Sequence, residues 1–289
     1  CRAYGITAHP VLVAYGEAVE PGQVAAALAA HPKAKAVFAT LCETSTGVVH
    51  PIQELAAVLR GRSVPLVVDA ISGLLADACR TEAWGIDVLV SGSQKGLMLP
   101  PGLAFLTLSP RAWELVERSS LPRFYFDLRL AKKALADDDT PFTPGIAQVV
   151  ALEEALRLIL ALGVDQMVER FARMAQGTRA AVEAMGLGLF AKRPSNGVTA
   201  IKVPEGVDGK TLVKLMHERS GVMVAGGQGE MAGQIIRIAH MGAITPEDVL
   251  AGLSALEDAL GVLGRPVPAG AGPKAAKDIF SQLASATGR

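Results

Sequence analysis

Cysteine is scarce in this chain. There are three, Cys1, Cys42 and Cys79, and they stand far apart. So odd and sparse a set makes no disulfide framework, and no two are spaced as zinc ligands. A reducing, cytoplasmic compartment is expected, with no metal. Net charge is also lacking, because 28 basic residues balance 28 acidic ones. Neither nucleic acid nor an anionic membrane surface is an expected partner, which leaves small molecules as substrates. No apolar run approaches the ~20 residues that a membrane-spanning helix needs. The N-terminus does not show the charged-then-apolar order of a secretory signal. Apolar residues, in contrast, are plentiful. Half of the 289 residues are hydrophobic, enough for a large core and for one large domain or two moderate ones.

Short apolar runs alternate with amphipathic helical stretches. Residues 36–41 (AVFATL) read as a buried strand, 51–59 (PIQELAAVL) as a helix and 64–68 (VPLVV) as the next strand. A helical stretch is expected around 74–80, then a strand at 86–90 (IDVLV). Buried strands joined by helices predict an α/β fold with a mostly parallel sheet. The turn Pro100-Pro101-Gly102 leaves no room for a crossover helix, so residues 103–108 should run antiparallel to the strand before them. Residues 119–146 read as irregular. From 147 to about 185 the pattern is helical, with a break at Gly163. A strand at 198–203, a helix at 210–219 and a strand at 234–240 suggest a smaller C-terminal α/β domain. Thr245-Pro246-Glu247-Asp248 is a helix start, with a threonine cap, proline in the first turn and acids near the positive end of the dipole. The expected division is 1–162 for a large domain, 163–264 for a small one, and 265–289 for a linker and short terminal helix.

In open α/β sheets, ligands collect at the carboxyl ends of the strands. Three polar clusters occupy that position: Glu43-Thr44-Ser45-Thr46-Gly47, Asp69-Ala70-Ile71-Ser72 and Ser91-Gly92-Ser93-Gln94-Lys95. A carboxylate at the end of an apolar strand is costly unless it meets a cation. A lysine beside a desolvated pocket can serve as a nucleophile towards a carbonyl. Pyridoxal phosphate (PLP) uses both, a lysine for its aldehyde and an anion for its pyridine nitrogen. Thr44, Ser45, Ser93 and Gln94 are candidate hydrogen-bonders for its phosphate and ring oxygen. The alternative is that Asp69 caps the following helix and Lys95 is a solvated turn lysine.

The segments ETSTGVVHPI, VVDAISGL, VSGSQKGLMLPPGLAFL, FTPG and IIRIAHMG occur in that order. Together they resemble the class V PLP-dependent aminotransferases of the alanine–glyoxylate and serine–pyruvate group, over nearly the whole chain. The resemblance implies PLP-dependent transferase fold type I and a homodimer with shared active sites. It makes Lys95 the Schiff-base lysine, Asp69 the pyridinium partner and Ile71 the apolar side chain against the ring. Thr44 and Gln94 become cofactor contacts, and Thr143 a phosphate ligand given to the neighbouring subunit. Thr140 stands where some relatives place a tyrosine on that phosphate. Arg237 matches the arginine that grips the substrate's α-carboxylate, a role suited to a planar guanidinium. Relatives carry an upstream phosphate loop and a stacking aromatic, so the chain is expected to be N-terminally truncated. The implied activity moves an amino group from alanine or serine to glyoxylate or pyruvate.

Other signals carry less. Gly209-Lys210-Thr211 lacks the glycine a phosphate loop needs five positions earlier, where Pro204 stands. Gly227-x-Gly229-x-x-Ala232 leads into a strand rather than a helix, so it reads as a turn that places Arg237. His50 and His240 read as structural hydrogen-bonders, and Cys79, in its helical stretch, as buried and inert. Trp84 and Trp113 read as packing residues. Two other functions are weighed: a non-catalytic PLP-fold subunit of a larger assembly, and a cysteine desulfurase-type lyase. The second resembles sites with histidine before the lysine and a mobile cysteine, whereas this chain has Gln94 and no cysteine after Cys79.

Overall fold

A computed structural model describes residues 1–286. In chain order the main elements are α1 (Pro21–Ala30), β1 (Val37–Thr40), β2 (Cys42–Glu43), β3 (Val48–Val49), α2 (Ile52–Leu59), β4 (Leu66–Asp69), α3 (Thr81–Trp84), β5 (Val88–Gly92) and β6 (Ala104–Leu108). Then come α4 (Pro110–Arg118), α5 (Leu128–Leu135), α6 (Ile146–Leu162), α7 (Val164–Ala184), β7 (Val198–Lys202), α8 (Gly209–Ser220), β8 (Ala225–Gly226), β9 (Ile235–Ala239), α9 (Pro246–Val262) and α10 (Ala271–Ala286).

The larger sheet has the order β1-β4-β5-β6. Its first three strands are parallel, and β6 runs antiparallel to β5, as the short proline–glycine turn requires. A second sheet, β7-β9-β8, is antiparallel throughout. One apolar core gathers Leu28, Leu41, Leu55, Leu66 and Val68 around β4 and α2. The other gathers Phe171, Met174, Ile201, Met216 and Leu253 around the second sheet, and takes in Leu75 and Leu97 from the first half of the chain. The two halves therefore interlock behind the loops at the carboxyl ends of β4 and β5.

Local chemistry fixes most boundaries. Ser109 accepts from Ala112 N at the start of α4. Thr245 and Asp248 form a reciprocal capping box on α9. The long helical pattern breaks at Gly163, whose φ of 98° no β-carbon tolerates well, giving α6 and α7. The expected helix over 74–80 is absent. The chain there makes turns, with Leu75 in the left-handed region at φ 68°. The cause is tertiary: Asp77 is buried and its carboxylate takes hydrogen bonds from Ser195 and Asn196, far away in sequence. Cys79 consequently lies outside any helix and is half-buried. The stretch read as irregular contains α5, capped by Asp127. The expected terminal helix is α10; Thr287, Gly288 and Arg289 lie outside the described residues.

Candidate active site

The register of the parallel strands sets Thr40 beside Asp69 and Asp69 beside Val90. Three loops leave these carboxyl ends. The first folds at once into the β2–β3 hairpin, whose turn holds Thr44 to Gly47. Gly47 has φ 72°, and a β-carbon there would lie 3.3 Å from Ala200 of the second sheet. The second carries Asp69, Ile71 and Ser72, and the third carries Lys95. Glu43, Thr44, Asp69, Ile71, Ser72 and Lys95 all line one cleft of about 220 Å³.

Each loop is pinned. Thr44 Oγ1 and Ser72 Oγ share a hydrogen bond, tying the first loop to the second. Asp69 Oδ1 accepts from Ile71 N at 2.9 Å, which fixes the carboxylate in a tight turn rather than at a helix cap. The Lys95 turn is held by Ser93, which is fully buried. Its hydroxyl donates to Pro100 O at 2.7 Å and accepts from Leu103 N at 3.2 Å. Ser93 is thus spent on the backbone and is withdrawn as a cofactor contact. Gly96 is pressed against Leu74, with a β-carbon position 2.3 Å from that carbonyl. Met98, at φ 64°, closes the turn by donating its N–H to Lys95 O.

Asp69 is exposed and Lys95 half-buried. Among the described residues neither makes an ion pair. Gln94 is exposed next to Lys95. Ser45 donates its hydroxyl and its N–H to Glu43 Oε1, at 2.7 and 3.0 Å.

Arg237 sits on β9 and is 8% exposed. Its Nε donates to Gly226 O at 2.9 Å and its Nη1 to Thr44 O at 2.7 Å. It pairs with no surface acid among the described residues. The guanidinium bridges from the second sheet to the first loop of the cleft, and Nη2 makes no protein hydrogen bond among those residues. Burial lowers its pKa, opposed by nearby Glu43. Thr143 is not in the cleft of its own chain. It lies exposed between Phe142 and Pro144, beside an apolar surface where Phe124, Tyr125 and Phe126 are open to solvent. Thr140 donates its hydroxyl to Phe142 O within that segment.

Both singled-out histidines act structurally. His50 Nδ1 accepts from Val19 N at 3.1 Å. His240 is fully buried, hydrogen-bonds Asn196 O through Nδ1, and is held by burial at a pKa of about 4. Two lining residues, Thr40 and Cys42, were not anticipated. Thr40 is the polar end of an apolar strand, a readable signal. Cys42 carries none; burial pushes its thiol up to about 12, so it is not a thiolate nucleophile.

The donor set fits PLP. The cleft offers an amine, a separate carboxylate with one oxygen free of protein hydrogen bonds among the described residues, hydroxyls on Thr44 and Ser72, and an apolar wall at Ile71. That is a lysine for an aldehyde, an anion for a ring nitrogen and a face for the ring. Fold and cleft together define a PLP-dependent transferase of fold type I. The solved structure of pyridoxamine–pyruvate aminotransferase from Mesorhizobium loti superposes with a TM-score of 0.88 at 34% identity, covering 93% of this chain and 71% of that one. The family description Aminotransferase class-V matches residues 1–249, and this chain belongs to that family. L-aspartate–glyoxylate aminotransferase of Paracoccus denitrificans is 37% identical over 99% of this chain and 74% of its own. A protein named soluble hydrogenase, small subunit, from Synechococcus sp. (strain PCC 6716), is 40% identical over 97% of this chain and 74% of its own. The enzyme is a PLP-dependent transaminase. Among the described residues no helix is long and apolar enough to cross a membrane, and no cluster of side chains is suited to a metal ion.

Proposed function

We propose that this transaminase moves an amino group from alanine or serine to glyoxylate or pyruvate, using Lys95, Asp69 and Arg237. One observation carries the reading: among the described residues, a lysine without an ion-pair partner and an aspartate with one carboxylate oxygen unbonded line the same cleft, and a buried arginine is tethered to Thr44, one of its lining residues. Bound PLP supplies an aldehyde for amine capture and an electron-withdrawing ring that stabilises a carbanion. Lys95 would supply the amine for that aldehyde and would move the proton at the substrate Cα. Asp69 holds the proton on the pyridine nitrogen. Ile71 packs on the ring, while Thr44 and Gln94 bind its polar substituents. Arg237 binds the α-carboxylate of donor and acceptor alike.

The small, neutral donor is supported by the charges of the cleft. Its lining includes the carboxylates Glu43 and Asp69 and a single cation, Lys95, so a distal carboxylate meets repulsion. The acceptors are supported by the glyoxylate and pyruvate in the relatives' names. The aspartate in the Paracoccus name is the competing donor. A donor panel at one keto-acid concentration decides: preference for alanine or serine is expected, and strong preference for aspartate rejects the small-donor claim while leaving transamination standing.

A homodimer is supported by the exposed apolar surface around Thr143, where Phe126 is 81% and Ile146 67% exposed. In this reading Thr143 binds the phosphate in the partner's site. The domain division near Gly163 is supported by the two sheets, and a cytoplasmic location by three free cysteines. The Synechococcus name favours a second reading, a PLP-fold subunit without turnover. Purified protein with a visible PLP absorption band and measurable transamination excludes it; a colourless, inactive protein supports it.

A further inference from the structure

Segment 193–197 touches the hairpin of the first loop, Ser72 of the second loop and the residue that follows β9, without lining the cleft. Ser195 N donates to Gly47 O in the hairpin turn that presents Thr44. His240, three residues beyond Arg237 and just past the end of β9, is fastened twice: its N–H donates to Gly197 O at 3.0 Å and its Nδ1 to Asn196 O at 3.1 Å. Past His240 the chain reaches Gly242, where a β-carbon would lie 3.2 Å from Lys95 O. The chain leaving β9 therefore spans the gap between the guanidinium and the lysine turn; β7 and β8 hold the strand itself, and this segment, which leads straight into β7, holds the residue just past its end.

The segment is anchored in turn by Asp77, eight residues beyond Asp69 in the same loop. Asp77 Oδ1 accepts from Asn196 N at 2.9 Å, and Oδ2 from Ser195 Oγ at 2.5 Å. Arg179 of α7 brackets the segment from the other side, donating to Ser195 O and Asn196 Oδ1 at 3.2 and 3.3 Å. The Asp77 side chain is 6% exposed. Burying a carboxylate costs several kcal/mol unless its lone pairs are filled. Here each carboxylate oxygen accepts one hydrogen bond from the same turn, and that turn anchors both the start of β7, the strand paired with Arg237's own, and His240 just beyond it.

We propose that Asp77 is a positioning residue, which through Asn196 and His240 sets where Arg237 presents its guanidinium to the substrate carboxylate. The inference rests on the reading of Arg237 given above. A displacement of the grip by an ångström or so weakens substrate capture while leaving the cofactor's own contacts in place.

The test compares Asp77→Ala and Asp77→Asn with the unmodified protein, all loaded with PLP. Asp77→Ala is expected to raise KM for donor and acceptor roughly tenfold or more, with PLP affinity and kcat changed by less than about threefold. Asp77→Asn keeps an acceptor for Asn196 N and should recover most of the KM. A purely structural role lowers the melting temperature but leaves KM of the folded fraction unmoved, and that result overturns the proposal. So does a loss of substrate affinity that merely follows loss of PLP. If Asp77→Ala does not fold, Ser195→Ala removes one of the two bonds, and an unchanged KM there is equally fatal. Calorimetric titration with propionate reads the carboxylate grip without turnover. Wild-type protein that binds propionate yet transfers no amine sinks the aminotransferase reading alone. Asp77→Ala that binds propionate as wild type does sinks the positioning role alone.

Discussion

Replacing Arg237 by alanine separates carboxylate recognition from cofactor chemistry. The guanidinium makes two hydrogen bonds to carbonyls, Gly226 O and Thr44 O, and Nη2 is left for a ligand. A hydrogen bond to a charged partner is worth ~1.5–3 kcal/mol, so one such bond from Nη2 to a carboxylate contributes roughly 1.5–3 kcal/mol. At 1.4 kcal/mol per factor of ten this is a loss of about 10- to 140-fold in kcat/KM. It should fall mainly on KM, and equally on every amino donor, because the α-carboxylate is common to all. The substitution also frees two carbonyls beside a cavity, so some stability is lost. The assay must therefore report bound PLP by absorbance alongside the steady-state constants, with Arg237→Lys as comparator. Lysine keeps the charge but loses the planar fork, and an intermediate KM is expected. Unchanged KM in PLP-loaded Arg237→Ala would refute the assignment and return Arg237 to a tie between the sheet and the hairpin.

Four further outcomes follow from the geometry. Borohydride reduction and peptide mapping should place the cofactor adduct on Lys95; a label on another lysine, with Lys95 unmodified, removes it from its role. Asp69→Asn should keep PLP bound yet lose roughly 100-fold in turnover, the usual scale for deleting a fixed electrostatic partner; full activity with bound PLP contradicts the ring-nitrogen role. Mixing Lys95→Ala subunits with Thr143→Ala subunits should give more activity than either alone, since one site of each hybrid then has both residues intact; no gain means that Thr143 does not act across an interface. Gly96→Ala should cost ~1–3 kcal/mol by overpacking against Leu74, read as a lower urea midpoint; an unshifted midpoint shows that the lysine turn is looser than its contacts imply.

The strands of the larger sheet were legible because their signal is local: four or five apolar residues bounded by turns, ending in a polar residue. The antiparallel β6 followed from chain length alone, since residues 100–102 cannot hold a crossover. The turns at 71–80 were not legible. Residues 74–80 (LLADACR) read as a helical stretch, and the force that unwinds them is Asp77 reaching partners 118 and 119 residues away. Propensity is a weak prior against a buried carboxylate that must be satisfied. The same holds for α5. Its Leu128, Leu130 and Leu135 sit among charges and prolines, and the cap at Asp127 is legible only once the helix is known.

Within the site, legibility tracked whether a side chain's partner lies in the protein or outside it. Ser93 looked like a cofactor contact from its place at a strand end, but its hydroxyl is consumed by Pro100 and Leu103. Sequence cannot distinguish a serine that serves the backbone from one that serves a ligand. Asp69 and Lys95 differ in kind. They line one cleft with opposite charges, and an aspartate and lysine placed there for stability would pair with each other. They do not pair. Asp69 commits one oxygen to its own turn, and the Lys95 backbone is fixed by Met98 and the packing of Gly96 and Gly242. Two rigid loops thus hold two opposite charges apart, each with capacity unspent, at the position where an α/β sheet presents its ligands. Such an arrangement gives up a favourable ion pair, and the compensating interaction is one with a ligand that carries both an electrophile for the amine and a basic nitrogen for the acid.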